Sequence, residues 1–307
     1  MLLRLVVNPT ASSVTSRARA PIVEALKAEH DVDVVETARR GDATDLARDA
    51  VERGVDVVVV LGGDGTLNEA ARGLVGSRTA LAPLPGGSTN VFARSIGVDH
   101  DPIAATGRLL RSLAADAVRR IGLGIAAQPD GEDRPFLFHL GLGFDAAVVS
   151  EMEQRRYLKR YLAHPAFAVA AIDTWIRHFD RDTRICVASE DEVIGFGPYA
   201  VVSNADPYTY VLRRRLRISP YADLERALAV TVLHHVRAVL VVRSALSGIG
   251  SARFLASSPD VTQRADVTRL SITADRPFPW QVDGDYLGTV ERLDVRYEPE
   301  SLTLVVP

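Results

Sequence analysis

The stretch LGGDGTLNE, from Leu61 to Glu69, joins two segments of different hydrophobic pattern. Before it, VDVVVVL (55–61) is β-branched and apolar, which is typical of a parallel strand covered on both faces. After it, apolar residues recur at helical spacing from Leu67 to Val75. Glycines let the turn bend sharply and approach a ligand closely. Because a helix N-terminus binds phosphate well, the stretch predicts a phosphate-binding loop.

The side chains of this turn suit a nucleotide. Asp64 puts a carboxylate where a phosphate-bound Mg²⁺ could use it. Thr66 and Asn68 add neutral hydrogen-bonding groups. A glycine-rich turn with a capping Asp or Thr is the structural alternative for the same residues.

A second glycine loop, PLPGGSTNVFA (83–93), follows the next predicted strand, Ala80 to Leu84. The first predicted strand, Leu2 to Val7, ends at Asn8-Pro9-Thr10. Ligands of open α/β sheets bind at the carboxyl ends of the strands. We therefore expect the three segments to lie at one edge and the two glycine loops to face each other across a nucleotide.

The chain divides into two patterns. Strands alternate with helices up to about residue 120, which predicts a parallel α/β sheet. From there strands predominate, and one long helical stretch (149–178) and a weaker one (237–246) interrupt them. We predict domains at 1–119 and 120–307, with the last residues able to pack on the first domain. The later strands are predicted at 121–127, 136–142, 184–189, 199–204, 228–234 and 268–274.

Composition excludes several classes of protein. The 307 residues are 47% hydrophobic with a net charge of −3, so neither a disordered chain nor a wholly basic nucleic-acid binder is expected. Cys186 is the only cysteine, which rules out an intramolecular disulfide. No G-x-x-x-x-G-K-[ST] occurs, so a P-loop kinase is excluded. Neither a signal peptide nor a membrane-spanning segment is predicted.

The sequence resembles the diacylglycerol-kinase catalytic-domain family of lipid kinases, which includes bacterial diacylglycerol and YegS-like kinases and is related to sphingosine kinases. Asn8-Pro9, Gly62 to Glu69 and Pro85 to Ala93 carry the resemblance. GLGFDA (141–146) and VDGD (282–285) match later motifs of the family, in the same order.

The resemblance implies an N-terminal phosphofructokinase-like α/β domain and a C-terminal, mainly β, sandwich-like domain with inserted helices. It also implies that ATP and a lipid meet in the cleft between them, and that Asp64 organises Mg²⁺ and the phosphates. The residues implied to bind the nucleotide are Asn8, Thr10, Thr37, Gly62, Gly63, Asp64, Gly65, Thr66, Asn68, Gly87, Ser88 and Thr89.

Catalytic roles follow from the same resemblance. Asp145 and Asp283 are implied to join the acidic network of Asp64, and Asp285 stands where the family has a glutamate general base. Asp285 is one methylene shorter, so its reach is less by about 1.5 Å. Ordinary turn chemistry is the alternative for Asp283 to Asp285, because Asp-Gly is a common hairpin turn.

Two other segments depart from the family. Asp223 and Glu225 stand where relatives have an Asp-Asp-Gly run that holds a structural Mg²⁺, so they are a weaker candidate metal site. Asn204 to Tyr210 lacks the glycines of relatives.

Lipid binding is expected near Tyr157 to Phe179, which mixes apolar and aromatic residues with basic ends. Arginines and a lysine at 155–160 and 213–217 would favour an anionic membrane surface. A core-packing helix and solvated charged faces are the alternatives. We expect a cytoplasmic protein at the inner face of the membrane, with a lipid substrate, no nucleic-acid partner and a homodimer as one compatible assembly.

The function predicted is ATP- and Mg²⁺-dependent phosphorylation of a lipid hydroxyl, diacylglycerol to phosphatidic acid. An NAD kinase has a related fold and its own Gly-Gly-Asp-Gly turn, but the second glycine loop and Asp283-Gly284-Asp285 favour the lipid kinase. A non-catalytic nucleotide or lipid sensor is the third alternative.

Overall fold

A computed structural model describes residues 1–129, 131–154, 183–190, 192–211, 214–235 and 257–307. The predicted lipid-binding stretch Tyr157 to Phe179, the basic residues at 155–160, Arg213 and the helical candidate at 237–246 lie outside these residues. Among the described residues, no helix has the length and apolar character needed to cross a bilayer.

The described helices are α1 (Ser16–Glu29), α2 (Asp42–Glu52), α3 (Asp64–Leu74), α4 (Val91–Ser95), α5 (Pro102–Ala114) and α6 (Phe144–Gln154). The first strands are β1 (Leu2–Val7), β2 (Asp31–Glu36), β3 (Val57–Gly62), β4 (Ala80–Pro85), β5 (Val118–Ala127), β6 (Arg134–Phe136), β7 (His139–Gly143) and β8 (Ile185–Ala188). The others are β9 (Val193–Gly197), β10 (Tyr199–Ser203), β11 (Thr209–Val211), β12 (Arg214–Leu216), β13 (Leu228–Leu233), β14 (Val261–Val267), β15 (Arg269–Val282) and β16 (Asp285–Val305).

The chain forms two compact units. The first contains Met1–Leu123 and Glu298–Pro307, and the second contains Gly124–Tyr297. The division falls four residues after the predicted boundary at 119, and residues 298–307 belong to the first unit. Strands β5 and β16 each contribute residues to both units.

The first unit contains the parallel sheet that the alternating pattern predicted. Its strand order is β2-β1-β3-β4, and Thr303 and Leu304 of β16 extend it by pairing in parallel with β4. Strands β3 and β4 are buried along their whole length, as expected for strands covered on both faces. Residues of β1, β3 and β4 form one core with side chains of α1 and α5.

The other face of this sheet is covered by α2 and α3, which pack against each other. Buried Arg4 of β1 points to this face, where its guanidinium donates to the Leu46 carbonyl of α2. It also pairs with Asp33 at 2.7 Å and with Asp49. The first unit is therefore a parallel sheet between two layers of helices, with its strand ends free to carry loops.

The second unit contains antiparallel strands, in the order β14-β13-β10-β7-β15-β16. Strand β15 pairs with β8 through residues 271–274 and with β7 through residues 280–282. Its core is built from the inward-facing side chains of these strands, with Phe136, Phe278 and Trp280 among the largest. The predicted single strand at 136–142 is divided into β6 and β7, because the N–H groups of Leu137 and Phe138 bond to Asp283 instead of a neighbouring strand.

Candidate functional site

Three polar loops of the first unit begin where parallel strands end. Val7 pairs with Leu61, and Gly62 pairs with Pro85, so β1, β3 and β4 end at the same level. The loops that follow start at Asn8, Gly63 and Gly86. The sheet therefore brings together the three segments that the sequence placed at one edge.

The two glycine loops touch through their backbones, so the expectation that these glycines face each other across a nucleotide is wrong. The Gly86 N–H donates to the Gly62 carbonyl at 2.8 Å. A Cβ on Gly86 would lie 2.8 Å from the Gly62 nitrogen, and one on Gly87 would lie 2.8 Å from the Gly63 Cα. No side chain fits at either position without moving the partner loop. These glycines are thus required by the close approach of two loops.

Asp64 ties the first loop to the second. Its carboxylate oxygens accept the N–H groups of Val91 at 2.9 Å and Phe92 at 3.1 Å, at the start of α4. Burial raises the pKa of Asp64, although the two N–H bonds act in the opposite direction. Gly63, at the N-cap of α3, has no side chain to cap that helix. The first turn of α3 therefore offers backbone N–H groups beside a carboxylate.

The loop after β1 is held by Asn8. Its Nδ2 donates to Thr66 Oγ1 at 2.8 Å, and its Oδ1 accepts from the N–H and the hydroxyl of Thr10. Further along the loop, the Ser13 N–H donates to the Gly86 carbonyl at 2.8 Å. Asn8, Thr10 and Thr66 are thus brought together as predicted, in one network across two loops.

Asn90 closes the second loop and is not among the site residues predicted from the sequence. Its Oδ1 accepts the Gly87 N–H at 2.9 Å and its Nδ2 donates to the Gly87 carbonyl at 2.7 Å. Its φ of 47° is left-handed, a conformation that asparagine adopts more readily than most residues. In the sequence, the asparagine that directly follows Gly-Gly-Ser-Thr could have indicated a side chain that closes this loop.

The other predicted nucleotide residues are placed less closely together. Ser88 is exposed and Thr89 half-buried in the second loop. Thr37 follows β2, and its N–H donates to the Val7 carbonyl at 3.0 Å. Asn68 is buried in α3, and its Oδ1 has no hydrogen-bond partner in the described part of the chain.

A separate polar network lies inside the second unit around Asp145, at the start of α6. Tyr208 donates its hydroxyl to Asp145 Oδ1 at 2.6 Å, and Gln281 donates its Nε2–H to Oδ2 at 2.8 Å. Burial raises the pKa of Asp145 to about 6, while both hydrogen bonds lower it. Tyr208 was missed as a site residue, because 63 residues separate it from Asp145 and no local pattern joins them.

Asp283 anchors the turn between β15 and β16. Its carboxylate accepts the N–H groups of Leu137, Phe138 and His139 at 2.7–3.0 Å. Burial raises the pKa of Asp283 to about 7, against the effect of these three bonds. Asp283 and Gly284 have φ values of 49° and 88°. Positive values at both central residues are typical of a type I′ hairpin turn.

Asp285 follows this turn as the first residue of β16, paired with Val282 and half-buried. Asp145, Asp283 and Asp285 therefore all lie in the second unit, and their catalytic roles stay a prediction. The alternative, an ordinary Asp-Gly hairpin turn, is also present, because the side chain and the positive φ of Asp283 both stabilise the hairpin.

The carboxylates of the described residues do not form a metal site by themselves. Within the described ranges, no group of three or more Asp, Glu, His or Cys side chains could hold a metal ion. Asp223 and Glu225 are both exposed, and the Glu225 N–H donates to Asp223 Oδ1 at 3.0 Å. A structural Mg²⁺ there stays a prediction. A carboxylate has about four lone-pair sites, and the Asp64 carboxylate accepts fewer backbone N–H groups than that. A nucleotide-bound Mg²⁺ that takes one protein carboxylate would fit this side chain.

Residues 2–122 match the family model described as the diacylglycerol kinase catalytic domain. The diacylglycerol kinase of Bacillus subtilis is 34% identical over 104 residues, which is 33% of this chain and 34% of the relative. A protein of Klebsiella pneumoniae named "probable lipid kinase YegS-like" is 43% identical over 77 residues, 24% of this chain and 26% of the relative. The matched stretches thus span about a third or less of these relatives' length.

The fold of the whole chain has solved counterparts. A crystal structure of a diacylglycerol kinase from Bacillus anthracis aligns with a TM-score of 0.75, covering 100% of this chain and 97% of that one. The sequences are 20% identical, so this likeness concerns the fold alone.

Proposed function

We propose that this chain, whose residues 2–122 match the diacylglycerol kinase catalytic domain model, is a lipid kinase that transfers the γ-phosphate of ATP to a lipid hydroxyl. Diacylglycerol, giving phosphatidic acid, is the acceptor we put first. The proposal includes action at the inner face of a membrane, where such a lipid would be met, and the phosphofructokinase-like and β-sandwich-like architecture implied by the family.

The observation that carries the proposal is the pair of glycine loops. Gly62–Gly63 and Gly86–Gly87 lie in backbone contact at the carboxyl ends of adjacent parallel strands. A helix start without a side-chain cap follows the first loop. Phosphate groups bind where backbone N–H groups and a helix dipole point outward.

Phosphoryl transfer requires positioning, charge stabilisation and a base for the attacking hydroxyl. The glycine loops would position the phosphates, and Asn8, Thr10 and Thr66 would order the loop beside them. Asp64 would hold a nucleotide-bound Mg²⁺, whose chemistry is to neutralise charge on the phosphate oxygens. Asp285 would accept the proton of the lipid hydroxyl, because an alcohol needs a base late in its attack.

The two buried aspartates would support that base. Asp283 fixes the turn that Asp285 follows, through three backbone N–H groups. Asp145, engaged by Tyr208 and Gln281, would keep negative charge near it. Their roles are electrostatic and positional, because each already accepts at least two hydrogen bonds.

Transfer of label from [γ-³²P]ATP tests the proposal, with diacylglycerol, sphingosine, undecaprenol and NAD offered in parallel. Asp64→Asn should reduce transfer at least about 10²-fold, since it loosens the contact between the loops. Asp101→Asn is the matched control, because Asp101 also accepts two helix N–H groups, at the start of α5. Its activity should stay near that of the wild type.

Each result decides between the alternatives. Label in a lipid that disappears in Asp64→Asn but not in Asp101→Asn supports the lipid kinase. Label entering NAD alone would identify an NAD kinase. Binding of ATP without transfer to any acceptor would contradict the proposal and favour a nucleotide sensor.

A further inference from the structure

Gln281 is a fully buried amide whose two ends are both engaged. Its Nε2–H donates to Asp145 Oδ2 at 2.8 Å, and its Oε1 accepts the Gly284 N–H at 2.7 Å. The residue has no exposed surface. Buried amides are costly unless such partners exist, so both bonds constrain where the amide can lie.

The site is shaped to admit this amide. Gln281 lies opposite Gly141 of β7 in the sheet. A Cβ at residue 141 would come within 2.4 Å of Gln281 Nε2 and 1.7 Å of Asp145 Oδ2. Any other residue at 141 would therefore push the amide and the carboxylate apart. This contact explains the first glycine of the GLGFDA motif, Gly141.

The orientation of the amide is fixed by its neighbours. The Gly284 N–H can only donate, so it faces the oxygen of Gln281, and the amide nitrogen must then face Asp145. The other oxygen of Asp145 accepts from Tyr208. One chain of hydrogen bonds thus runs from Tyr208 through Asp145 and Gln281 to the turn before Asp285.

We propose that Gln281 is a positioning residue that sets Asp285 by joining the Asp283–Gly284 turn to Asp145. The inference rests on the proposed function, because Asp285 matters here as the base of the transfer. Asp283 holds one side of the turn and Gln281 holds the other. Without Gln281 the turn keeps its anchor at residues 137–139 but loses its fixed distance from Asp145.

Gln281→Glu tests the proposal most specifically. It keeps the side-chain shape and the acceptor for the Gly284 N–H, but it replaces the amide nitrogen that donates to Asp145 with an oxygen. Two carboxylates would then meet where an N–H···O bond was. A displacement of about 1 Å at a catalytic group reduces rate roughly 10²-fold. We expect kcat with the lipid acceptor to fall by about that factor, while KM for ATP stays within about twofold.

Gln281→Glu combined with Asp145→Asn reverses the direction of the bond. The new amide at position 145 would donate to the new carboxylate at position 281, which would still accept the Gly284 N–H. The oxygen of the new amide would still accept the Tyr208 hydroxyl. The double variant should melt closer to the wild type than Gln281→Glu alone and have a higher kcat than that variant.

Gln263→Glu is the matched control for the single substitution. Gln263 of β14 donates its Nε2–H to the Ile218 carbonyl at 2.8 Å, outside this chain of bonds. The substitution makes the same chemical change as Gln281→Glu but leaves Asp145 and the turn untouched. Its kcat should be unchanged.

Hydrogen exchange separates this inference from the kinase proposal. In Gln281→Leu, a peptide covering 281–286 should exchange faster, since the Gly284 N–H loses its acceptor. A wild type without transfer activity would refute the kinase proposal, whereas faster exchange would still support the link through Gln281. The inference is overturned if exchange at 281–286 is unchanged, if Gln281→Glu keeps its kcat, or if adding Asp145→Asn gives no recovery.

Discussion

Replacing Gly86 with alanine probes the closest point between the two glycine loops. The added Cβ would lie 2.8 Å from the Gly62 nitrogen and 2.8 Å from Val14 Cγ2. The first of these is a backbone atom, so relief requires the loops to separate. Overpacking of this kind costs about 1–3 kcal/mol, which for a chain of this size lowers Tm by roughly 2–12 °C.

Gly65→Ala is the control with the opposite expected sign. Gly65 is the second residue of α3, and a Cβ there meets nothing within 4 Å. Alanine favours a helix over glycine by about 1 kcal/mol, so Tm should rise by roughly 2–4 °C. The same chemical change is thus expected to destabilise at one loop position and stabilise at another.

Calorimetric melting and ATP titration of both variants measure the two effects. Gly86→Ala should melt earlier and bind ATP more weakly than the wild type, because the loop that would hold the phosphates is displaced. Melting of Gly86→Ala within about 1 °C of the wild type, with equal ATP affinity, would refute the reasoning about loop contact.

Other predictions concern charge. Arg4→Met should change the free energy of unfolding by less than about 1 kcal/mol, because Asp33 and Asp49 remain open to water. The double variant Asp33→Asn with Asp49→Asn leaves a buried guanidinium without its carboxylate partners and should cost about 3–5 kcal/mol. Urea unfolding compares the two. Burial raises the pKa of Asp283 from 3.8 to about 7 in the folded chain. The folded chain therefore binds this proton more readily, and the free energy of unfolding should rise as the pH falls from about 7 towards 3.8. Asp283→Asn should remove this contribution to the pH dependence. Burial lowers the pKa of His139 from 6.5 to about 3. Because the unfolded chain then binds the proton more readily, the free energy of unfolding should fall by up to about 1.4 kcal/mol per pH unit below pH 6.5. His139→Phe should reduce this loss in melts at about pH 4–6.

The first unit was predictable because its signals are local. The VDVVVVL run, the glycines after it and the helical spacing from Leu67 each mark an element within about ten residues of chain. The resulting parallel α/β sheet is confirmed, and residues 2–122 match the model of the family that the sequence resembles. Glycine pairs at two strand ends also indicated the loop edge, because parallel strands that start in register end together.

Features that depend on distant partners could not be predicted in this way. Thr303 pairs with Ala80 across more than 200 residues, and hydrophobic alternation does not specify which strand lies beside which. Tyr208 reaches Asp145 from a segment noted only for its missing glycines. Gln281 lies beyond the predicted strand at 268–274, in the part of β15 that the sequence did not predict, and its hydrogen bonds require the room that Gly141 leaves. Such sites are set by packing between strands that are remote in sequence.

Hydrogen exchange with and without ATP and Mg²⁺ tests most directly whether the glycine loops bind the nucleotide. We expect slower exchange in peptides covering 61–69 and 84–92, with no change in one covering 31–36 on the edge strand β2. Exchange that is unaltered at both loops at saturating ATP, or slowed only elsewhere, would contradict the account.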